Sequence, residues 1–457
     1  MKEEFAFKII KQSGSAKVGT IKTPNGSVET PAFIFCATKA AIKAADIERI
    51  SEAGTQIILS NTYHLMLQPG ENTVAKLGGL HKMMGWNGPM LTDSGGYQIF
   101  SLGHGSVSEE IKGIRKKQKT LIKINEDGAI FRSYINGKIY CLTPEKSVQI
   151  QQKLGADLIL VLDECTPFHA LYGISQGGVY QDLRRESCNF INDLPFFGQA
   201  IGGSLGQSKE QMYDVVSFTM DHLKKDRPTH LLGIGGIVDI FRGVELGIDT
   251  FDCVHPTRLA RHGGALIKVK NRDSISSKCK EHINLRNQQF ELDDNPIESD
   301  CLCFTCRKHS RAYIHHLLKA KELLAHTLVT IHNVFFMNKL MASIRQAILD
   351  DRLDQEKNNW ISEIPLHSVT FLAGLSLIAT AIAVGTVPAI AACLVIGGIL
   401  TVLSGVQAVE SYLFLRNSEK TLNKLMSNIR DESESKLFIE RILQPFIELL
   451  SEPKQHN

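Results

Sequence analysis

Between residues 29 and 264 the chain repeats one arrangement: a short apolar run, then a polar or amphipathic segment. The runs lie in ETPAFIFCAT, TQIILSNTY, PMLTDSG, DLILVLDE, LYGISQGG, QAIGG, THLLGIGG and DTFDCVHP. Short apolar runs spaced in this way are the pattern of buried parallel strands joined by crossovers. Eight is the number that closes a (β/α)8 barrel, so the expected fold class is α/β, a TIM barrel. Polar or ionisable residues follow most of the runs: Thr38, Asn61, Asp93, Asp163, Gln176 and Asp252. In a barrel that end of each strand forms the rim where chemistry is placed.

With 457 residues, 43% of them apolar and 22% charged, the chain can bury a large core. That excludes a disordered chain and a small disulfide-stapled secreted domain. The net charge is only +3, so any preference for nucleic acid must come from local patches. Two such patches exist. Residues 112–123 hold six positive side chains and no acid, and residues 258–280 hold seven positives against Asp273 alone. A charge run is often only a solvated face, but the second begins beside Asp252 and suits a phosphate backbone crossing the barrel mouth. Residues 1–11 contain two adjacent glutamates and no apolar h-region, so a cytoplasmic chain with reduced cysteines is expected.

Beyond residue 268 the texture turns basic and helical, and three cysteines cluster as Cys301-x-Cys303-x2-Cys306. With His332 they form a donor set of three thiolates and one imidazole, the composition of a closed structural zinc site. His309, His315, His316 and His326 compete with His332 for the fourth place on spacing alone. Further on, residues 364–409 contain no Asp, Glu, Lys or Arg, and GTVP breaks the stretch near its middle. Each half has about the length of a spanning helix, so a transmembrane hairpin is expected there. A buried soluble hairpin is the alternative. The division read from the sequence is a barrel catalytic domain over 1–267 and a zinc-binding helical subdomain over 268–355 that completes the barrel. The hairpin over 364–409 and a charged helical tail over 410–457 follow.

Asp93 in LTDSGGYQIFSL and Asp252 in GIDTFDCVHPTRLAR both follow apolar runs, which puts them in a mouth rather than a core. Two carboxylates so placed suit a nucleophile with a general acid/base partner, as in retaining glycosyl transfer. An aspartate after a strand is also a common turn former or helix cap. Asp163 and Gln176 have the donors and acceptors to read a heterocycle edge, and Tyr97 offers a ring face for stacking. Gly202 and Gly203 allow close backbone approach to a flat ligand.

Together these segments resemble the queuine tRNA-ribosyltransferases, also called tRNA-guanine transglycosylases. The matching motifs are NTYHLMLQPG (61–70), LTDSGGYQIFSL (91–102), LTPEKSVQIQ (142–151), DECTP (163–167) and GISQGGVYQDLR (173–184). AIGG (200–203), FDCVHPTRLARHG (251–263) and the Cys/Cys/Cys/His set complete them, in the family's order over residues 1–350. The resemblance implies a pentosyltransferase that exchanges the wobble guanine of tRNAs with GUN anticodons for a 7-deazaguanine, either queuine or its 7-aminomethyl precursor, in queuosine modification. It implies Asp252 as the nucleophile that forms a covalent tRNA intermediate and Asp93 as the general acid/base. Tyr97 would stack the base, Asp163, Gln176 and Gly203 would hydrogen-bond it, and Arg258 and Arg261 would hold the anticodon loop. Zinc would be structural, and a homodimer usual.

The sequence departs from the family in three places. Only residues 165–170 separate Glu164 of DECTP from Leu171 of the LYGISQGG run, where the family carries a longer connection; a parallel crossover ordinarily takes a dozen or more residues. The wall beside Asp163 should therefore be bare or repacked. Gly206 replaces the valine that narrows the bacterial pocket, which points to the larger base queuine, whereas Cys165 follows the bacterial pattern. The hydrophobic hairpin and tail lie outside the resemblance. The alternative functional reading is a non-catalytic, membrane-linked tRNA-binding subunit or a decayed homologue.

Overall fold

The computed structural model describes residues 5–98, 121–125, 127–161, 170–203, 205–268 and 281–361. Asp163, most of the 112–123 and 269–280 basic stretches, the 364–409 stretch and the 410–457 tail lie outside these residues. Three antiparallel strands open the chain: β1 (Ala6–Ser13), β2 (Ala16–Thr23) and β3 (Gly26–Thr30). The barrel then begins with β4 (Ala32–Cys36), β5 (Ile58–Ser60) and β6 (Met90–Thr92). A second antiparallel sheet, β7 (Leu121–Asn125), β8 (Gly128–Arg132) and β9 (Ile139–Leu142), is inserted after β6. The barrel resumes with β10 (Leu158–Leu160), β11 (Ala170–Ser175), β12 (Gly198–Ile201), β13 (Thr229–Leu231) and β14 (Thr250–Asp252).

Closure is complete, in the order β10-β11-β12-β13-β14-β4-β5-β6, with every neighbouring pair parallel. Each of the eight apolar runs supplies one strand. Alternation along the strands produces two separate cores. Ala32, Ile34, Leu59, Leu91, Leu158, Leu160, Tyr172 and Ala200 fill the interior, joined by Ile21 and Val28 from the N-terminal sheet. Their neighbours Phe33, Phe35, Ile58, Met90, Ile159, Leu171, Leu231 and Phe251 point outward into the layer shared with the helices. At the opposite end from the rim, Lys17 Nζ pairs with Asp249 Oδ2 at 2.9 Å with both side chains buried, which ties β2 to the residue that leads into β14.

The connection from β10 to β11 consists of Val161 and residues 162–169. Leu158 nevertheless pairs with Ala170 and Leu160 with Tyr172, so the two strands are direct parallel neighbours. Fully extended, a segment of that length reaches about 30 Å, ample to return along a three-residue strand. The other crossovers between barrel strands carry at least one helix, from Ile47–Glu52 between β4 and β5 to Ile237–Glu245 between β13 and β14.

After β14 come the helix His255–Arg261, a two-stranded sheet of β15 (Gly264–Leu266) and β16 (His282–Asn284), and three further helices, Phe304–Lys308, Arg311–Ala320 and Leu323–Leu349. The last of these carries Lys339 and Arg345 besides two histidines, and among the described residues no helix is long and apolar enough to cross a membrane. A final helix, Leu353–Ile361, anchors on Trp360, which is 1% exposed. Its indole meets the Phe336 ring edge-on at 5.3 Å, lies 4.8 Å from Lys268 Nζ and donates Nε1–H to Glu356. The packed unit thus runs to Ile361, past the subdomain end at 355 expected from the sequence.

Truncating Trp360 to alanine is expected to destabilise this unit by about 3–5 kcal/mol, the range for a large buried aromatic. Chemical denaturation of the full chain measures it, and a loss below about 1 kcal/mol would show that the terminal helix is only apposed.

Candidate active site

Four adjacent strands of the closed sheet, β14, β4, β5 and β6, end in Asp252, Cys36, Ser60 and Thr92, and Asn61 and Asp93 follow directly on the last two. This arc brings the two sequence-predicted carboxylates to one stretch of rim. Asn61 caps the helix Thr62–Leu67: its Oδ1 accepts from His64 N–H at 3.0 Å, which leaves Nδ2 free to donate to Asp93 Oδ2. The first residue of the same helix gives its N–H to Asp93 Oδ1 at 2.8 Å, and Thr62 Oγ1 donates to the Asp93 carbonyl at 2.5 Å. The Asp93 loop is also held from behind. Ser147 Oγ donates to Ser94 O at 2.7 Å, and Gln151 Oε1 accepts from Thr92 Oγ1 at 2.9 Å. Both come from Pro144–Leu154, a helix started by the Thr143 cap with proline in its first turn.

Burial is the largest influence on Asp93 and pushes its carboxyl up; the Thr62, Asn61 and Gly95 hydrogen bonds pull it back, and the charge of Asp252 pushes it up again. The net position is about 7, against an ordinary 3.8. A carboxyl poised there both donates and accepts a proton near neutrality. Asp252 is 9% exposed. Its Oδ1 accepts from Gly233 N–H at 2.9 Å and stands 3.2 Å from His230 Nε2, while Oδ2 faces Cys36 Sγ at 3.5 Å. Burial and the Asp252 charge raise the Cys36 thiol, so it remains S–H and donates.

The base-binding candidates divide. Gly203 has φ +78°, and a Cβ there would come within 2.5 Å of Gln176 Oε1, so glycine lets those two loop ends meet. Arg184, 1% exposed, braces both loops by donating to the carbonyls of Ser175, Gly178 and Gly202 at 2.8 to 3.0 Å. A cavity of about 350 Å3 opens beside them, lined by Gly203, Leu205, Gly206, Leu232 and Ile234. Gly206 has φ +107°, and a Cβ there would press on Gln211 rather than on open space. Tyr97 follows the Asp93 loop and is exposed over 65% of its surface. The position of Asp163 lies outside the described residues.

Arg258 and Arg261 lie on the helix that follows Asp252, and two lysines unmarked in the sequence reading join them. Lys43, on the loop after β4, is lowered first by burial, then by Arg261, Lys39 and Arg258, so the four cations face one another. Lys39 Nζ sits 5.7 Å from the Tyr134 ring, and Tyr134 Oη is 3.2 Å from His64 Nδ1. The loop turns at Ala40 and Ala44, both with positive φ (57° and 66°), a strain that structure elsewhere must hold in place. A concentrated positive edge beside two carboxylates suits a phosphate chain that delivers a sugar to them.

Cys301, Cys303, Cys306 and His332 bring their ligand atoms within 4.8 Å of one another. His332 Nδ1 lies 3.3 to 3.7 Å from the three sulfurs, while Nε2–H donates to Leu266 O at 2.8 Å. That second bond fixes the tautomer that leaves Nδ1 as a ligand. Thiol hydrogen bonds from Cys301 and Cys306 pull the Cys303 thiol down, and, against the larger opposing effect of burial, the Cys301 sulfur and Glu298 raise His332. Three soft sulfurs and one oriented imidazole, four protein donors in all, fit zinc in a structural role. The neighbour of His332 carries that role to the rim: Asn333 donates to Pro256 O and Gly264 O and accepts from Leu266 N–H. The metal helix thereby grips both ends of the segment bearing Arg258 and Arg261.

The sequence model for the family described as Queuine tRNA-ribosyltransferase matches residues 12–170 and 168–365. The chain belongs to this family. The two matched stretches meet at the short connection between β10 and β11, and the match ends at 365, short of most of the hydrophobic stretch. A Queuine tRNA-ribosyltransferase of Roseiflexus sp. (strain RS-1) is 43% identical over 390 residues, covering 76% of this chain and 96% of the relative. Those of Protochlamydia amoebophila (strain UWE25) and Chlamydia trachomatis serovar D are each 41% identical, over 382 and 383 residues, with 76% of this chain and 96% and 99% of the relatives covered.

Substituting Cys303 by alanine is expected to take bound zinc from about one equivalent per chain to none. Elemental analysis reads the metal, and tRNA affinity should fall with it because the Arg258 segment loses its clamp. Full zinc in the variant would remove Cys303 from the ligand set.

Proposed function

We propose that the chain is a tRNA-guanine transglycosylase that exchanges the wobble guanine of GUN-anticodon tRNAs for a 7-deazaguanine, queuine or the 7-aminomethyl precursor. The observation that carries this reading is the pair Asp93 and Asp252 on one rim, with the Lys39, Lys43, Arg258 and Arg261 cations beside them. Asp252 attacks the ribose anomeric carbon, the bond to guanine N9 breaks, and the leaving base takes its electron pair and the proton of Asp93. The incoming base then gives its N9 proton to Asp93 and displaces Asp252 from the sugar. Two inversions retain configuration. Tyr97 stacks the base, and Asp163, Gln176 and Gly203 hydrogen-bond it. Cys301, Cys303, Cys306 and His332 would hold zinc in a structural role, while Asn333 beside them grips the segment that bears Arg258 and Arg261.

Two further features belong to this proposal, a membrane tether and a homodimer. The charge-free stretch 364–409 supports attachment to the cytoplasmic face of a membrane, and the family resemblance supports a homodimer. Sedimentation of the full chain after detergent-free lysis separates them: pelleting with lipid supports the tether, and a soluble dimer supports only the second.

The decisive assay is incorporation of radiolabelled guanine into an unmodified GUN-anticodon tRNA by the full zinc-loaded chain. Exchange should occur and fall by at least about a thousandfold in Asp252→Asn, which lacks the nucleophile. A folded chain that binds tRNA without exchange would favour the binding-subunit reading, with the short β10–β11 connection as the cause. Asp93 raised to about 7 sets the pH dependence. The proton-bearing form is lost as pH rises through that value, so single-turnover loss of guanine should decline above pH 7, and a flat profile to pH 9 would exclude Asp93 as the acid.

A further inference from the structure

His230 was absent from the sequence reading, yet it is among the most deeply buried polar side chains beside the rim carboxylates, at 1% exposure. In register, His230 on β13 lies opposite Thr250 on β14, and Asp252 is two residues further on the same face. Its Nδ1 is 2.9 Å from Thr250 Oγ1, and its Nε2 is 3.2 Å from Asp252 Oδ1, off the line of a hydrogen bond. A buried imidazole nitrogen with an anionic oxygen as its neighbour carries the hydrogen. Nδ1 then accepts from the Thr250 hydroxyl, which anchors the ring so that a small turn aligns Nε2–H on Asp252.

The two oxygens of Asp252 are consequently unequal. Oδ1 faces two N–H groups, Gly233 at 2.9 Å and His230 at 3.2 Å. Oδ2 faces a single thiol at 3.5 Å, a weak and long donor. We propose that His230 is a positioning residue that pins Oδ1 of Asp252 and so presents Oδ2 as the oxygen that bonds to the sugar. This rests on the transglycosylase reading of Asp252. When Oδ2 forms its bond to the anomeric carbon, the bond to guanine N9 breaks, its pair leaves with the base, and the Asp93 proton neutralises it. Oδ1 is then the ester carbonyl oxygen. In the second step the electron pair of the Oδ2–carbon bond returns to the carboxylate, and its charge spreads onto Oδ1 under two donors. Hydrogen bonds there make Asp252 a better leaving group, so His230 acts most on breakdown of the covalent intermediate.

The test uses the full zinc-loaded chain and an unmodified GUN-anticodon tRNA transcript, with denaturation-stable adduct followed by rapid quench and then chased with guanine. His230→Phe should bind the transcript as the unaltered chain does and form adduct, but release it about ten- to hundredfold more slowly, as for loss of a hydrogen bond to a charged group. His230→Gln, which returns an N–H near the same place, should recover to within severalfold. Thr250→Val, with the ring kept but its Nδ1 anchor removed, should slow release to an intermediate degree and carries the test if His230→Phe does not fold. Release at the unaltered rate in His230→Phe or Thr250→Val overturns the proposal. So does an equal defect in His230→Gln and His230→Phe, which would mean that the ring matters only for packing. Absence of adduct in the unaltered chain itself sinks the transglycosylase reading, and this proposal with it.

Discussion

Two carboxyl groups share one partly enclosed rim, and the energy of that arrangement shapes everything around it. Burial already disfavours charge on Asp93, and the neighbouring charge of Asp252 disfavours it further; only the hydrogen bonds from Asn61, Thr62 and Gly95 keep the carboxyl near 7 rather than higher. Each of those donors has its own support. Asn61 is available because its other atom caps a helix, and Thr62 because it begins that helix. The Pro144–Leu154 helix, through Ser147 and Gln151, stops the Asp93 loop from relaxing outward. On the other side Gly233, His230 and Cys36 surround Asp252. The barrel brings these groups together because parallel strands all finish on the same rim.

Much of this was legible from residues alone. All eight apolar runs became strands, because short apolar runs flanked by polar turns leave few other ways to bury them. Asp93 and Asp252 were found because each directly follows a run. The metal set was readable because three cysteines within six residues seldom serve any other purpose, but His332 needed the structure to prefer it to its competitors: its Nδ1 lies within 3.7 Å of all three sulfurs while Nε2 is held by the Leu266 carbonyl. His230 was missed because a histidine inside an apolar run looks like core, and its role depends on register with a strand distant in sequence. Lys39 and Lys43 were missed because their loop has no charge run; they join Arg258 and Arg261 only through the β4–β14 pairing. Gly206 lines the cavity beside Gly203, and its φ of +107° with Gln211 packed against it shows why glycine suits that turn.

Zinc site and rim are physically continuous. Leu266 is held at its N–H by Asn333 and at its carbonyl by His332, two successive residues of one buried helix. The cysteine–histidine cluster and the basic helix after Asp252 are thus tied together through one element, the helix that carries His332 and Asn333. Trp360 packs on Phe336 of the same long helix, so the chain up to Ile361 stabilises the site from behind. The short β10–β11 connection leaves the pairing of those two strands intact.

The measurement that reaches the central claim most directly is a carboxyl-carbon NMR titration of the full chain labelled at aspartate, compared with Asp93→Asn. The account predicts one resonance with a midpoint of about 7 that disappears in the variant, while the Asp249 signal, raised by burial to about 6, remains. If every aspartate titrates below pH 5, or if the resonance near 7 persists in Asp93→Asn, the two rim carboxyls do not divide the roles of acid and nucleophile as described.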